Sequence, residues 1–181
     1  MNNFLRKLKL ADSLTTELEI TKQEFVTRLK ENVDEGTTDA FSDMFDIFTS
    51  SKNEYKGRVG LDHFEIKRRA KFFDSSMNLA VAKGTYRQKD QILIIDTEIN
   101  SFVSFMWLFL IGITFIYSIF FLTMLTSYIQ DDESLLGFPF LIFHATFMYG
   151  IPYFIMRRST SRLKYDLERE FHYLTKPSRN R

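Results

Sequence analysis

Three histidines, His63, His144 and His172, are the residues of this 181-residue chain best suited to proton transfer or metal ligation. They stand far apart, and none has a second histidine at a ligand spacing. With no cysteine in the sequence there is no thiolate nucleophile, no disulfide framework and no Cys-ligated zinc or iron–sulfur site. No catalytic residue, metal ligand set or cofactor is therefore expected, and an enzyme ranks behind a binding module or a transport subunit.

Lys83-Gly84-Thr85 ends like a phosphate-binding loop, but it lacks the earlier glycine and lies between strand-like segments instead of opening a helix. Asp131-Asp132-Glu133 places three acids in succession, which cannot converge on one cation without ligands from elsewhere, so the run reads as a water-exposed turn. Lys67-Arg68-Arg69-Ala70-Lys71 is a basic cluster at the end of a strand-like segment, and such clusters near a cytoplasmic leaflet attract anionic lipid at ~1 kcal/mol per charge. Lys67, Arg68 and Arg69, with Arg157 and Arg158 further on, are thus the candidate lipid contacts. Against them stands the plainer reading of a solvated hairpin end, diluted by Asp62, Glu65 and Asp74. Residues 1–100 carry 16 Lys/Arg against 17 Asp/Glu, which leaves no basic face for nucleic acid.

The setting of His144 depends on the elements around it. From Asn100 to Gln130, and again from Ser134 to Met156, no side chain is charged, and each stretch exceeds the ~20 apolar residues that cross a bilayer core as a helix. The spacing predicts membrane helices over about 102–126 and 135–156, forming a hairpin. An imidazole inside the second of these is costly to leave unpaired. It either bonds a hydroxyl of the first helix, where Ser118 and Thr123 lie at matching depth, or belongs to an ion or proton path. A path normally needs more than one titratable group, and the spans hold no Asp, Glu, Lys or Arg, which favours the structural role. Small residues, Gly112 and Ser118 on the first helix and Thr146 and Gly150 on the second, are expected to form the helix contact. Trp107, Tyr128, Tyr149 and Tyr153 fall toward the span ends, as interface anchors do.

Lys and Arg flanking membrane helices are retained on the cytoplasmic side. Lys83, Arg87 and Lys89 precede the first span, Arg157, Arg158, Arg162 and Lys164 follow the second, and the connector has none. Both termini are therefore expected in the cytoplasm. Met1 to Leu10 has basic residues but no apolar core of signal-peptide length.

Ahead of the spans, Leu14, Leu18 and Ile20 share the parity of a half-buried strand. Thr21 stands three residues before Glu24 in capping-box spacing, and Phe25, Leu29 and Val33 repeat helically to an end near Gly36. A long loop, 35–53, leads to alternating segments around Tyr55–Val59 and Phe64–Ile66, a turn at Gly60-Leu61-Asp62, and strands near 78–87 and 91–99. The fold class is α+β: a cytoplasmic domain over 1–100, a transmembrane hairpin over 101–156 and a basic amphipathic tail over 157–181. In the tail Leu163, Leu167, Phe171 and Leu174 line one helical face that Pro177 ends, facing either the bilayer interface or the underside of the domain.

Through Tyr55-Lys-Gly-Arg-Val59, His63-Phe-Glu-Ile-Lys-Arg-Arg69 and Lys83-Gly-Thr85, followed by a last strand and a two-helix hairpin, the chain resembles a group of uncharacterised bacterial two-helix membrane proteins. Those carry a small N-terminal β-rich cytoplasmic domain somewhat like a pleckstrin-homology sheet. The resemblance spans roughly 14–174 in layout and implies an inner-membrane, multi-pass protein, with no site residue to carry over. The expected function is a membrane-anchored interaction or sensing module, with membrane lipids and a protein partner or second copy as its contacts. The alternative is a subunit of a small oligomeric channel or transporter lined by His144, Ser118 and Thr114.

Overall fold

The computed structural model describes residues 3–39, 51–69, 78–102, 104–131 and 137–176. Contacts divide it into two compact units, Met1–Phe102 with Met156–Arg181, and Val103–Ile155. In the first, α1 (Asn3–Lys7) and β1 (Ala11–Leu18) precede α2 (Lys22–Glu31). Five strands follow: β2 (Val33–Glu35), β3 (Tyr55–Val59), β4 (His63–Arg68), β5 (Val81–Lys89) and β6 (Ile92–Asn100). They form one sheet in the order β1-β6-β5-β4-β3-β2, antiparallel throughout except for the parallel pair β2 and β3.

The period-2 pattern sets the buried face. Registers such as Phe64 opposite Gly84 and Tyr86 opposite Ile95 align Leu14, Leu18, Phe64, Ile66, Ala82, Tyr86, Leu93, Ile95 and Ile99 on one side, where all are buried. Gly84 is required there, because a Cβ would lie 2.2 Å from the Phe64 ring. Gly57, at φ 150°, has Glu65 O only 2.0 Å from the place a Cβ would take. Across the same face the hydroxyls of Thr16, Tyr86 and Thr97 are buried with no hydrogen-bond partner among the described residues.

Thr21 caps α2 as the sequence predicts, accepting from the Glu24 amide at 3.3 Å. The capping box is half made, since Glu24 reaches forward to Arg28 at 2.5 Å. The helix stops at Glu31, with Asn32 as its C-cap, short of the expected end near Gly36. Val33 keeps its predicted burial as a strand residue, because β2 gains a partner in β3 that the local period cannot reveal. Most of the expected 35–53 loop lies outside the described residues.

Two further helices are long and apolar enough to cross a membrane: α3 (Ser104–Asp131) and α4 (Gly137–Leu174). The sequence predicts a span ending near 156 with a tail helix beginning directly after Arg157 and Arg158; the two are one helix, and α4 runs through both arginines without interruption. Its 38 residues extend about 57 Å at 1.5 Å per residue, against a hydrocarbon core of about 30 Å. The surplus is used in the first unit, where Leu163, Leu167, Phe171 and Leu174 are buried in the sheet's core beside Phe25, Val26 and Leu29 of α2. Of the two expected destinations for that stripe, the domain takes it. Arg28 Nη1 fastens the end of α4 by donating to Leu174 O at 2.5 Å and Lys176 O at 3.0 Å.

In the second unit α3 and α4 run antiparallel, as ring contacts Phe121–Phe138 at 5.9 Å and Tyr117–Tyr149 at 6.1 Å require. The expected small-residue contact does not form: a Cβ added at Gly112 or Gly150 would meet nothing within 4 Å.

Candidate functional site

His144 bonds a hydroxyl of the first helix, but neither of the two expected. Ser118 Oγ donates to Thr114 O at 2.8 Å and Thr123 Oγ1 to Phe120 O at 2.9 Å, each satisfied on its own helix. The imidazole partner is Tyr117, whose hydroxyl lies 2.5 Å from His144 Nδ1. Depth matching identified serine and threonine, but only the longer phenol crosses the gap. One turn away, Thr114 Oγ1 lies 2.7 Å from Tyr149 OH and also 2.7 Å from Leu110 O. A threonine hydroxyl has one proton, so with Leu110 O as its acceptor the Tyr149 hydroxyl is the donor to Thr114. Phe140 stacks on His144 at 6.2 Å and Tyr117 lies against it at 5.9 Å. Two phenols, an imidazole and a threonine thus make a polar seam in otherwise apolar helices.

A second constellation joins the chain ends of the first unit. Leu10 O accepts from Ser101 N at 3.0 Å and Ser101 Oγ at 2.9 Å, and Ser101 Oγ accepts the one Thr160 hydroxyl proton at 2.8 Å, with Thr160 Oγ1 3.2 Å from Leu10 O. Ser159 Oγ accepts from the Ala80 amide at 2.9 Å. Ser101, Ser159 and Thr160 are all buried. Composition conceals this knot, because an isolated Ser or Thr has no signature. Just before it Arg158 is exposed and Arg157 half-buried, and neither guanidinium has an ion-pair partner among the described residues.

The other expected lipid contacts turn inward. Lys67 is 1% exposed and stands opposite the equally buried Lys56 in the β3–β4 ladder, while Arg69 is buried in an ion pair with Asp34. Arg68 faces the core side and reaches Asp166 of α4 at 2.8 Å. The candidate lipid surface at Lys67, Arg68 and Arg69 is therefore corrected: Lys67 is buried in the sheet, Arg68 ties the sheet to α4 and Arg69 ties it to β2. Hydrogen bonding from Ser51, with smaller contributions from Asn53 and Arg69, holds the Asp34 carboxyl below its ordinary range despite burial. On the α4 side, burial first and then Glu54 push Glu170 upward. Burial, followed by Asp166, Glu170 and Glu54, likewise pushes up the Tyr55 phenol.

The remaining candidates carry little chemistry. His63 is exposed in β4, and exposed His172 bonds Glu168 O of its own helix at 2.8 Å. No group of three His, Asp or Glu able to hold a metal occurs among the described residues. Lys83-Gly84-Thr85 lies within β5, with Lys83 paired to Glu65 at 3.0 Å. A pocket of about 170 Å³ lined by Gly36, Thr37, Thr38, Asp39, Arg58 and Glu65 falls short of the ~300–1,000 Å³ of small-molecule sites. Within it the Thr38 hydroxyl, and then Lys83, lower the Glu65 carboxyl despite some burial. Comparison with known proteins returned no matching family, no matching curated protein and no matching solved structure.

Proposed function

We propose that α3 and α4 form a transmembrane hairpin in a bacterial inner membrane and that the protein is a membrane-anchored interaction or sensing module. Both termini and the six-stranded domain lie on the cytoplasmic side, and Asp131-Asp132-Glu133 faces the opposite one, in keeping with the one-sided Lys and Arg. The observation that carries this reading is the unbroken α4, whose first twenty or so residues have the length and polarity of a span and whose last turns supply Leu163, Leu167, Phe171 and Leu174 to the domain core. A partner that shifts the packing of that core acts on the same helix that crosses the bilayer. The lipid bilayer and a protein partner or second copy are its contacts; nucleic acid is not.

A second reading, a subunit of an oligomeric channel or transporter, is favoured by the Tyr117–His144 and Tyr149–Thr114 pairs. Two helices cannot enclose a pore, so this reading requires several copies. The mass of the purified particle in nanodiscs, with ion flux in liposomes, separates the two. One or two copies without flux supports the anchored module. A larger ring whose flux is lost in His144→Phe supports the channel and sinks the first reading.

A further inference from the structure

We infer that the segment Phe4–Leu10, together with Arg157 and Arg158, is a collar that seats on an anionic phospholipid surface; this rests on the transmembrane reading of α3 and α4. The placement comes from the hydroxyl knot. Leu10 O is bonded by Ser101, three residues before α3 begins, and Ser101 is bonded in turn by Thr160, two residues after Arg158. The amino-terminal segment is thereby fixed at the end of the domain where the chain leaves for one apolar helix and returns from the other.

Its own architecture is two-faced. Leu5 and Leu8 are half-buried and Leu10 is buried, whereas Phe4 is 61% exposed and Lys7 and Lys9 are exposed. α1 closes with Lys9 N donating to Arg6 O at 2.9 Å and Leu10 N to Leu5 O at 2.9 Å, the pattern of a Schellman end. Lys9 occupies its left-handed position at φ 58°, where glycine is the less strained residue. A side chain kept at a strained position points to a role for that side chain, and here it is an exposed cation. An exposed aromatic among lysines and arginines is the composition of interfacial segments, the ring entering the acyl boundary and the cations meeting phosphate.

Charge complementarity selects the occupant. Residues 3–10 and 156–161 contain Arg6, Lys7, Lys9, Arg157 and Arg158 and no acid, while the next cation, Arg162, is paired with Asp166 at 4.0 Å. The nearby Asp12 is already engaged by Lys164 at 2.8 Å and by the Ser13 amide at 2.8 Å. Lys7, Lys9, Arg157 and Arg158 have no ion-pair partner among the described residues. Arg6 is used internally, donating to Ser13 Oγ at 3.0 Å.

Because the chain has no cysteine, Asn3→Cys gives a unique attachment point for an environment-sensitive fluorophore on the exposed start of α1. The full-length labelled protein is placed in nanodiscs of phosphatidylcholine alone or mixed with phosphatidylglycerol. The expected result is a blue-shifted, lipid-quenchable emission that strengthens in the anionic discs. Lys7→Gln/Lys9→Gln should reduce the immersed population by about fivefold per cation removed, and Arg157→Gln/Arg158→Gln similarly. Inorganic phosphate at matched ionic strength should leave the signal unchanged. Incorporated protein whose label stays in water in both lipids overturns the collar, as does equal immersion with and without anionic lipid. Displacement by inorganic phosphate, or by an acidic peptide in preference to lipid, overturns it too. Protein that fails to enter discs and remains soluble without lipid removes the transmembrane reading, and the collar with it.

Discussion

Phe171→Ala measures how far the domain depends on chain that follows the second apolar stretch. Phe171 is 0% exposed and makes edge-to-face contacts with Phe25 at 5.5 Å and Phe64 at 5.9 Å. Removing a buried phenylalanine costs about 3–5 kcal/mol, and loss of two oriented ring pairs, each worth ~0.5–1.5 kcal/mol, places this site in the upper half of that range. About 4 kcal/mol is a factor of roughly a thousand in the folded-to-unfolded ratio and a large part of a domain's total of about 5–15 kcal/mol. Tyr173→Ala, two residues away and 65% exposed, should change stability by no more than about 0.5 kcal/mol. Hydrogen exchange of the β5 and β6 amides in the detergent-solubilised full chain reads the difference as a protection loss of about three decades for the first variant and none for the second. Equal protection in Phe171→Ala and wild type would refute the assignment of α4 to the core.

Three further outcomes follow from individual contacts. Gly84→Ala should destabilise the domain by about 1–3 kcal/mol through collision with Phe64, and Phe64→Leu should recover part of that loss in a thermal melt; no recovery would mean that the ring is not the obstacle. Thr160→Val should cost about 1–3 kcal/mol in urea unfolding by removing the donor to the buried Ser101 Oγ, while Leu10 O keeps its two donors from Ser101; an unchanged midpoint would remove the knot from the account. Glu170, raised by burial and by Glu54, contributes stability that is complete below its unfolded value of 4.5 and is lost as pH rises through its elevated folded value. Glu170→Gln should therefore be more stable than wild type at neutral pH and equal to it in acid, as two pH-dependent melting series would show; the reverse order would contradict the sign.

How much of this was legible in the sequence depended on how far apart the interacting residues lie. Thr21 as a cap, the alternation of Phe64 and Ile66 and the Leu163–Leu174 stripe are local, and each appears as the sequence predicts. The stripe also stated that a surface existed without saying which one it met. Arg68 and Arg69 look like a free basic cluster in the sequence because their partners, Asp166 and Asp34, are distant in the chain and become neighbours only once the sheet and α4 assemble. A run of like charges carries no local sign of that. Val33 continues a helical repeat as well as it begins a strand, because its burial fits both periods, and only the β3 edge decides between them. For His144 the need for a hydroxyl is readable, while its identity depends on side-chain reach across the hairpin.

The proposed membrane hairpin is tested most directly by single cysteines in this cysteine-free chain, at Glu17→Cys, Ser134→Cys and Tyr173→Cys, probed with a membrane-impermeant maleimide in intact cells. Modification of Ser134→Cys alone, with the other two reacting only after permeabilisation, is the result expected for a hairpin with both domain segments in the cytoplasm. Modification of Glu17→Cys or Tyr173→Cys in intact cells, or recovery of the protein in the soluble fraction, would contradict it.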